Sequence, residues 1–92
     1  MDLQELRRQI DGIDGELIRL FLQRMDVSVE IAKYKQQNHL PVYDPVRERE
    51  KLDGLQKLAG ADRASAAAEL FALLFALSRA EQERILRLES ER

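Results

Sequence analysis

The chain has 92 residues, the size of one domain whose core stays small unless a second chain shares its surface. It carries 15 Lys plus Arg against 17 Asp plus Glu, and a net charge of −2 gives no reason to expect a nucleic acid or an anionic membrane as partner. It contains no Cys and a single His, so disulfides and thiolate chemistry are excluded and no His/Cys cluster is available for a metal.

The first predicted element is one long amphipathic helix from about Asp2 to about Asn38. Such a helix is roughly 55 Å long at 1.5 Å per residue. Its apolar residues recur at the three-and-four spacing of a helix: Leu3, Leu6, Ile10, Ile13, Leu17, Leu20, Val27, Ile31 and Tyr34.

Two shorter helices follow. Asp44 and Pro45 supply an N-cap and a proline at the first helical position, so a second helix is predicted to begin there and to end near Gly60. A third helix is predicted from Ala64 to about Glu89. No segment has the alternation of a strand. The sequence therefore predicts an all-α fold in one domain, residues 1–92.

Two short helices cannot cover the whole apolar seam of the long one. We therefore expect a second copy of the chain to pack alongside it in a homodimer. Neither a secretory signal nor an apolar run long enough to span a bilayer is found, so a cytoplasmic protein without a membrane partner is expected.

Arg24 interrupts the seam at a position where the repeat predicts an apolar residue. A buried guanidinium needs an anionic partner. That partner is either an internal carboxylate, Asp26 or Glu30, or a bound ligand, unless the side chain reaches the edge of the bundle. Lys35 lies 11 residues further on nearly the same face, about 16 Å along the axis, and is either a second cation for that ligand or an ordinary solvated lysine.

Two polar groups also interrupt the apolar face of the third helix, Ser78 and Gln82, one turn apart. They predict either an interhelical hydrogen bond or contacts to a ligand. In the first turn of the second helix, Glu48 is favoured by the helix dipole whereas Arg47 is not, which indicates something anionic near Arg47. Asp44 is fully accounted for as the cap.

Arg7 lies 17 residues before Arg24, or about 26 Å along the axis, which is too far for both to bind one small molecule within a single chain. If Arg7 contributes to a site with Arg24, it must come from an antiparallel partner. Dimerisation would then be a condition of activity.

In their order and spacing, these residues resemble the all-helical class of chorismate mutases, including the mutase domain fused to prephenate dehydratase in enteric bacteria. The resemblance covers essentially the whole chain. Three blocks carry it, together with Ser78 and Gln82 in the last helix: Leu6 to Asp14, Arg24 to Lys35, and Pro41 to Glu48, the last matching the pattern Pro-Val-x-Asp-x-x-Arg-Glu.

The resemblance implies that the chain converts chorismate to prephenate, in phenylalanine and tyrosine biosynthesis, without cofactor or metal. It also implies two equivalent sites in an entwined antiparallel homodimer with three helices per chain. In this arrangement Arg24 and the partner chain's Arg7 bind the substrate carboxylates, with Ser78 assisting and Arg47 adding positive charge.

The same resemblance implies that Lys35 and Gln82 donate hydrogen bonds to the ether oxygen of the breaking bond. The main chain at Asp44 and the carboxylate of Glu48 would hold the ring hydroxyl. This sequence departs from the enteric pattern in a shorter connection between the last two helices and in Arg79, where an apolar residue is expected.

Two alternatives stay open. A lyase on the same scaffold that cleaves pyruvate from isochorismate needs the same arginines and lysine, although Glu48 and Ser78 favour the mutase. A non-catalytic helical dimerisation module explains the seam, but it does not explain why Arg24, Lys35 and Gln82 occur together with Ser78.

Overall fold

The structure of the chain is a computed structural model that describes residues 2–91. It consists of three helices: α1 (Leu3–Gln37), α2 (Pro45–Ala59) and α3 (Ala64–Ser90). No strand occurs in this range. The predicted all-α class is confirmed, and each predicted helix end lies within one residue or so of the observed one.

Side-chain caps fix the first turns of α1 and α2. Asp2 accepts a hydrogen bond from the backbone N–H of Glu5 at 2.8 Å, and Asp44 accepts one from the N–H of Arg47 at 3.0 Å. Pro45 follows Asp44 at the start of α2, as the sequence predicts. At the other end of α2 the backbone turns through Gly60, whose φ of 85° is readily adopted only by glycine.

The end of α1 has a Schellman arrangement of hydrogen bonds. The N–H of Leu40 donates to the carbonyl of Lys35 at 2.8 Å, and that of His39 donates to the carbonyl of Gln36 at 3.3 Å. His39 takes the left-handed conformation, φ 55°, that glycine usually supplies at this position. The chain reverses there, which brings residues 40–44 back along the end of α1.

α3 packs against both other helices, and it runs parallel to α1. The side chain of Arg24 on α1 contacts Leu74 on α3, and Ser28 contacts Ser78. The contacting residues thus keep a constant separation of 50 along the sequence. The same offset places Ala64, the first residue of α3, level with Asp14. The first three turns or so of α1 therefore extend beyond the start of α3.

α2 and α3 form an antiparallel hairpin. Glu48 in the first turn of α2 pairs with Arg79 in the second half of α3, and Gln56 near the end of α2 donates to the carbonyl of Ala64 at the start of α3, at 3.5 Å. The first turn of α2 is thereby placed beside the part of α3 that carries Ser78.

The core of one chain is small. Among residues 2–91 four side chains are buried, and two of them, Ser28 and Gln82, are polar; the other two are Ala32 and Phe75. The radius of gyration is 16.6 Å, whereas a compact domain of this length has a radius of about 12 Å. The chain is thus elongated, 55 × 29 × 14 Å, with few of its apolar side chains enclosed.

The apolar seam predicted for α1 is real but uncovered. Its side chains over the first half of the helix are 43 to 59% exposed: Leu3, Leu6, Ile10, Ile13, Leu17 and Leu20. In the described part of the chain, no helix combines the length and hydropathy that crossing a membrane requires.

Candidate functional site

The polar residues that interrupt the two apolar faces meet where α1 contacts α3. The hydroxyl oxygens of Ser28 and Ser78 lie 2.6 Å apart, and Nε2 of Gln82 donates to Oγ of Ser78 at 3.2 Å. Oγ of Ser28 donates to the carbonyl of Arg24 at 3.0 Å. Since each hydroxyl has one hydrogen, Ser78 is the donor to Ser28 in this arrangement. The interhelical hydrogen bond predicted as one alternative for Ser78 is therefore present.

The amide of Gln82 is only partly satisfied by this network. The residue is 5% exposed, and its Oε1 is buried without a hydrogen-bond partner among residues 2–91. A buried polar atom without a partner costs about 1–3 kcal/mol. The constant offset between the helices places the fully buried Ala32 opposite Gln82, and the methyl side chain of alanine offers no hydrogen-bonding atom to the amide.

Arg24 lies at the edge of this contact and is half-buried. Its Nη1 donates to the carbonyl of Leu74 at 3.4 Å, and its Cζ lies 5.7 Å from the centroid of the Phe75 ring. Within the described residues it forms no salt bridge; Glu30, one of the carboxylates expected as a partner, pairs with Lys33 at 3.7 Å instead. The interpretation of Arg24 as half of an internal ion pair is therefore not supported.

Lys35 is held at the far end of α1, two turns beyond Ser28 on the same face. Its Nζ donates to the carbonyl oxygen of Val42 at 2.7 Å, and the side chain is half-buried. It is thus not an ordinary solvated lysine. An ammonium group has three hydrogens, so two remain for another acceptor.

Glu48 and Arg79 form an ion pair across the hairpin of α2 and α3. Nη1 of Arg79 contacts both carboxylate oxygens, and the two side chains are 25% and 29% exposed, respectively. Cζ of Arg79 also lies 4.8 Å from the centroid of the Tyr43 ring. The hydrogen bond to Glu48 is the main cause of a raised pKa for Arg79.

The pattern of apolar residues predicts no role for Arg79, because a single pairing across two antiparallel helices leaves no periodic signal. Its only trace was a charge at a position where the family resemblance predicts an apolar residue. Arg79 follows Ser78 directly and lies one turn before Gln82 on α3. The structure shows that its charge is neutralised by Glu48.

Three of the predicted site residues are not assembled with the others. The carboxylate of Asp44 caps α2, and the side chain of Arg47 is exposed beside it. Arg7 is exposed on the part of α1 that extends past α3. One chain thus brings Arg24, Ser28, Ser78 and Gln82 into contact, with Lys35 and Glu48 on the adjoining surfaces, but it does not bring Arg7 to them.

An apolar groove between α1 and α3 leads away from Arg24. It is lined by Leu17, Leu20, Phe21, Leu70 and Phe71 and by other residues of the same two faces. The described residues contain no grouping of three or more acidic or histidine side chains that could hold a metal ion. The chemistry available to the site is therefore that of cations, hydroxyls, an amide and one carboxylate.

Comparison with known proteins points to one family. The family model for chorismate mutase type II matches residues 6–83. The T-protein of Haemophilus influenzae is 46% identical over 46 residues, which are 50% of this chain and 12% of that protein. A chorismate mutase of Methanocaldococcus jannaschii is 36% identical over 56 residues, which are 61% of this chain and 57% of that protein.

A third relative differs in its named substrate. The 4-amino-4-deoxychorismate mutase of Streptomyces venezuelae is 39% identical over 46 residues, which are 50% of this chain and 45% of that protein. In all three comparisons the chain spans less than two thirds of the relative's length. The family match extends over most of the chain, and we conclude that the chain belongs to the chorismate mutase type II family.

Proposed function

We propose that the chain is a chorismate mutase, which rearranges chorismate to prephenate at two equivalent sites shared between the subunits of a homodimer. One observation carries this proposal. Among residues 2–91, the guanidinium of Arg24 at the contact of α1 and α3 has no carboxylate partner, and about two turns further along the same contact the buried amide of Gln82 has an unpaired oxygen. Such a site is suited to an anionic ligand whose charged group binds the guanidinium and which has a further hydrogen-bonding atom for the amide.

The reaction needs only these kinds of groups. Chorismate is a dicarboxylate, and in the rearrangement a carbon–oxygen bond breaks while a carbon–carbon bond forms within the same molecule, with no proton transfer or nucleophile. Even an acceleration of about 10⁶-fold asks for roughly 8 kcal/mol. It can come from cations that hold the compact reactive conformer and from donors directed at the ether oxygen as negative charge develops there.

Arg24 and Arg7 of the partner subunit are proposed to bind the two carboxylates. A guanidinium presents paired N–H groups that match a carboxylate, and Cζ of Arg24 lies over the ring of Phe75, 5.7 Å from its centroid. Ser78 assists from α3, and the exposed Arg47 contributes positive charge at the rim.

Lys35 and Gln82 are proposed to donate to the ether oxygen. Lys35 keeps two hydrogens beyond the one that it gives to Val42. Rotation of the Gln82 amide by half a turn, with Ser78 now donating to Oε1 and Ser28 donating to Ser78 instead of to the carbonyl of Arg24, directs the N–H groups of Gln82 into the site. An uncharged amide and an ammonium would then share the charge that develops on the oxygen.

Glu48 and the main chain at Asp44 are proposed to hold the ring hydroxyl. A carboxylate has about four lone-pair sites, and Arg79 uses one on each oxygen, which leaves acceptor capacity for a hydroxyl hydrogen. The carboxylate of Asp44 stays a helix cap and its carbonyl accepts from the N–H of Glu48 at 3.1 Å, so its backbone N–H is the group proposed to take part.

The homodimer is supported by the surface that one chain leaves exposed. Its accessible area is 7392 Å², whereas a compact monomer of this mass has about 5,500 Å². The excess is on the order of 1,900 Å² per chain, as in obligate dimers. The exposed seam of α1 and the apolar groove beside Arg24 are the surfaces that a second copy would cover. The expected cytoplasmic location stays a prediction.

The deciding experiment offers the purified protein chorismate and isochorismate separately. We expect loss of chorismate absorbance and formation of prephenate. Formation of pyruvate and salicylate from isochorismate would instead indicate the lyase, and failure to bind any chorismate-like dianion would indicate the dimerisation module. Arg24→Ala should abolish turnover, whereas Arg19→Ala is the matched control, because Arg19 pairs with Glu16 on the exposed side of α1.

A further inference from the structure

We infer that Arg79 determines substrate specificity by positioning and neutralising Glu48, so that the site prefers a ring carrying a neutral hydroxyl over one carrying an ammonium group. This inference rests on the proposed function, because it concerns the carboxylate proposed to hold the ring hydroxyl. It adds a residue to which the family resemblance assigns no role.

The contacts of Arg79 hold it in one place. Its guanidinium lies against the Tyr43 ring, with Cζ 4.8 Å from the ring centroid, and its Nη1 contacts both oxygens of Glu48. Tyr43 belongs to the connection before α2, Glu48 to the first turn of α2, and Arg79 to α3. A cation fixed between a ring face and a carboxylate restricts the carboxylate to one orientation.

The pair is also shielded enough for its charge balance to matter. Both side chains are about one quarter exposed, and Coulomb interactions between partly buried groups are several times stronger than in bulk water. With Arg79 in place, the carboxylate of Glu48 and its partner together carry no net charge. They can accept a hydrogen bond from a hydroxyl, but they offer little attraction to a second cation.

Replacement of the ring hydroxyl by an amine changes what this end of the site must bind. An aliphatic amine is protonated at neutral pH and would bring a positive charge next to Arg79, where like charges repel. Without Arg79, the free charge of Glu48 would favour that ammonium. One relative of this chain is named a 4-amino-4-deoxychorismate mutase, and that compound carries an amino group in place of the ring hydroxyl.

The test compares kcat/KM for chorismate and for 4-amino-4-deoxychorismate in the wild type and in Arg79→Met. We expect the ratio of the two values to move toward the amine by about tenfold, which corresponds to 1.4 kcal/mol. Arg79→Lys keeps the charge and should leave the ratio within about threefold of the wild type. Arg84→Met is the matched control, because Arg84 pairs with Glu81 on the exposed side of the same helix.

A separate measurement tests whether Arg79 acts through Glu48. In a Glu48→Gln background the carboxylate is absent, so Arg79→Met should no longer shift the ratio toward the amine. If Arg79→Met alone lowers kcat/KM for both substrates by the same factor, Arg79 has a structural role only and the inference is wrong. Arg79→Gln, which keeps a polar side chain, provides the same comparison should the methionine variant fail to fold.

Failure of the proposed function is recognised separately. If the wild-type protein rearranges neither substrate, both the proposed mutase activity and the role of Arg79 are overturned. If the wild type rearranges chorismate and the substrate ratio is the same in Arg79→Met, only the role of Arg79 is overturned.

Discussion

The hydroxyl oxygens of Ser28 and Ser78 lie 2.6 Å apart and join α1 to α3 at the level of the candidate site. Ser28 is 3% exposed, so this contact is made almost without competing water. It continues from Gln82 through both hydroxyls to the carbonyl of Arg24. One hydrogen-bonded path thus connects the amide and the arginine that are proposed to contact the substrate.

The path should contribute to stability as well as to the site. Ser28→Ala is expected to lower the free energy of unfolding by about 1 kcal/mol, because it leaves Ser78 with an unpaired hydroxyl. Ser90→Ala is the matched control: its hydroxyl also donates to the carbonyl four residues earlier, at 2.9 Å, but on an exposed surface. Urea unfolding measures the free energy of unfolding of both variants. Equal decreases in the two would mean that the buried hydroxyl path contributes no more stability than an exposed hydrogen bond.

The double variant Ser28→Ala/Ser78→Ala measures the interaction energy between the two hydroxyls themselves. If the two side chains interact as the structure shows, Ser28→Ala and Ser78→Ala should not be additive, with a coupling of about 1 kcal/mol. Additive effects would mean that each hydroxyl is satisfied independently.

Lys35 should affect the chemical step more than folding. Lys35→Met removes one proposed donor to the ether oxygen, and loss of a comparable donor costs about 10²–10³ in kcat. Lys33→Met is the matched control, because Lys33 lies two residues away and pairs with Glu30 on the exposed face. Stopped-flow or steady-state assays with chorismate measure both. A Lys35→Met enzyme with wild-type kcat would exclude Lys35 from the reaction.

Gln82→Glu should make activity depend on pH. Burial at this position raises the pKa of a carboxyl group, since it disfavours the charged form. At acidic pH the neutral acid can still donate to the ether oxygen; as the pH rises, the ionised form repels the developing charge, so kcat should fall. Profiles from pH 5 to 8 test this, with the exposed Gln37→Glu as control. Undiminished turnover at pH 8 would rule out this role for Gln82.

The helices could be read from the sequence because their signals are local. Spacing of apolar residues gave α1, and the Asp44-Pro45 pair gave the start of α2. The end of α1 was also placed correctly, although the left-handed position after it is occupied by His39 and not by the glycine that is usual there. Each of these features depends on residues within one or two turns of one another.

The arrangement of the site was less accessible from sequence, because it depends on which helix faces are paired. Arg24 and Gln82 were identified as polar interruptions of apolar faces, but the hydroxyl path between them needed the parallel packing of α1 on α3. The pairing of Glu48 with Arg79 depends on the hairpin of α2 and α3, and no spacing rule within one helix could predict it.

Stability should depend on protein concentration if a second copy covers the exposed seam. For a folded dimer that dissociates on unfolding, Tm rises with concentration. Ile10→Glu places a charge on the seam and should give a monomeric or unfolded chain, whereas Arg8→Glu, on an exposed polar position of the same helix, should not. Sedimentation and circular dichroism report the outcome. A wild-type Tm that is independent of concentration would contradict the dimer.

The sharing of one site between two chains can be tested with two inactive variants. Arg7→Ala and Arg24→Ala should each abolish most activity when assayed alone. In a dimer of one chain of each kind, one site has both arginines and the other has neither. Random mixing makes half of the dimers mixed, so unfolding and refolding the two variants together should restore about a quarter of wild-type activity.

The distance along α1 is what makes this complementation informative. Arg7 and Arg24 are about 26 Å apart on one helix, so they cannot both reach one small molecule within a chain. Refolding Arg24→Ala with a double variant, Arg7→Ala/Arg24→Ala, is the control, since no combination of those chains contains an intact pair and activity should stay absent. If the Arg7→Ala and Arg24→Ala mixture forms dimers that remain equally inactive, Arg7 is not supplied by the partner subunit, and the model of a site shared between two chains is wrong.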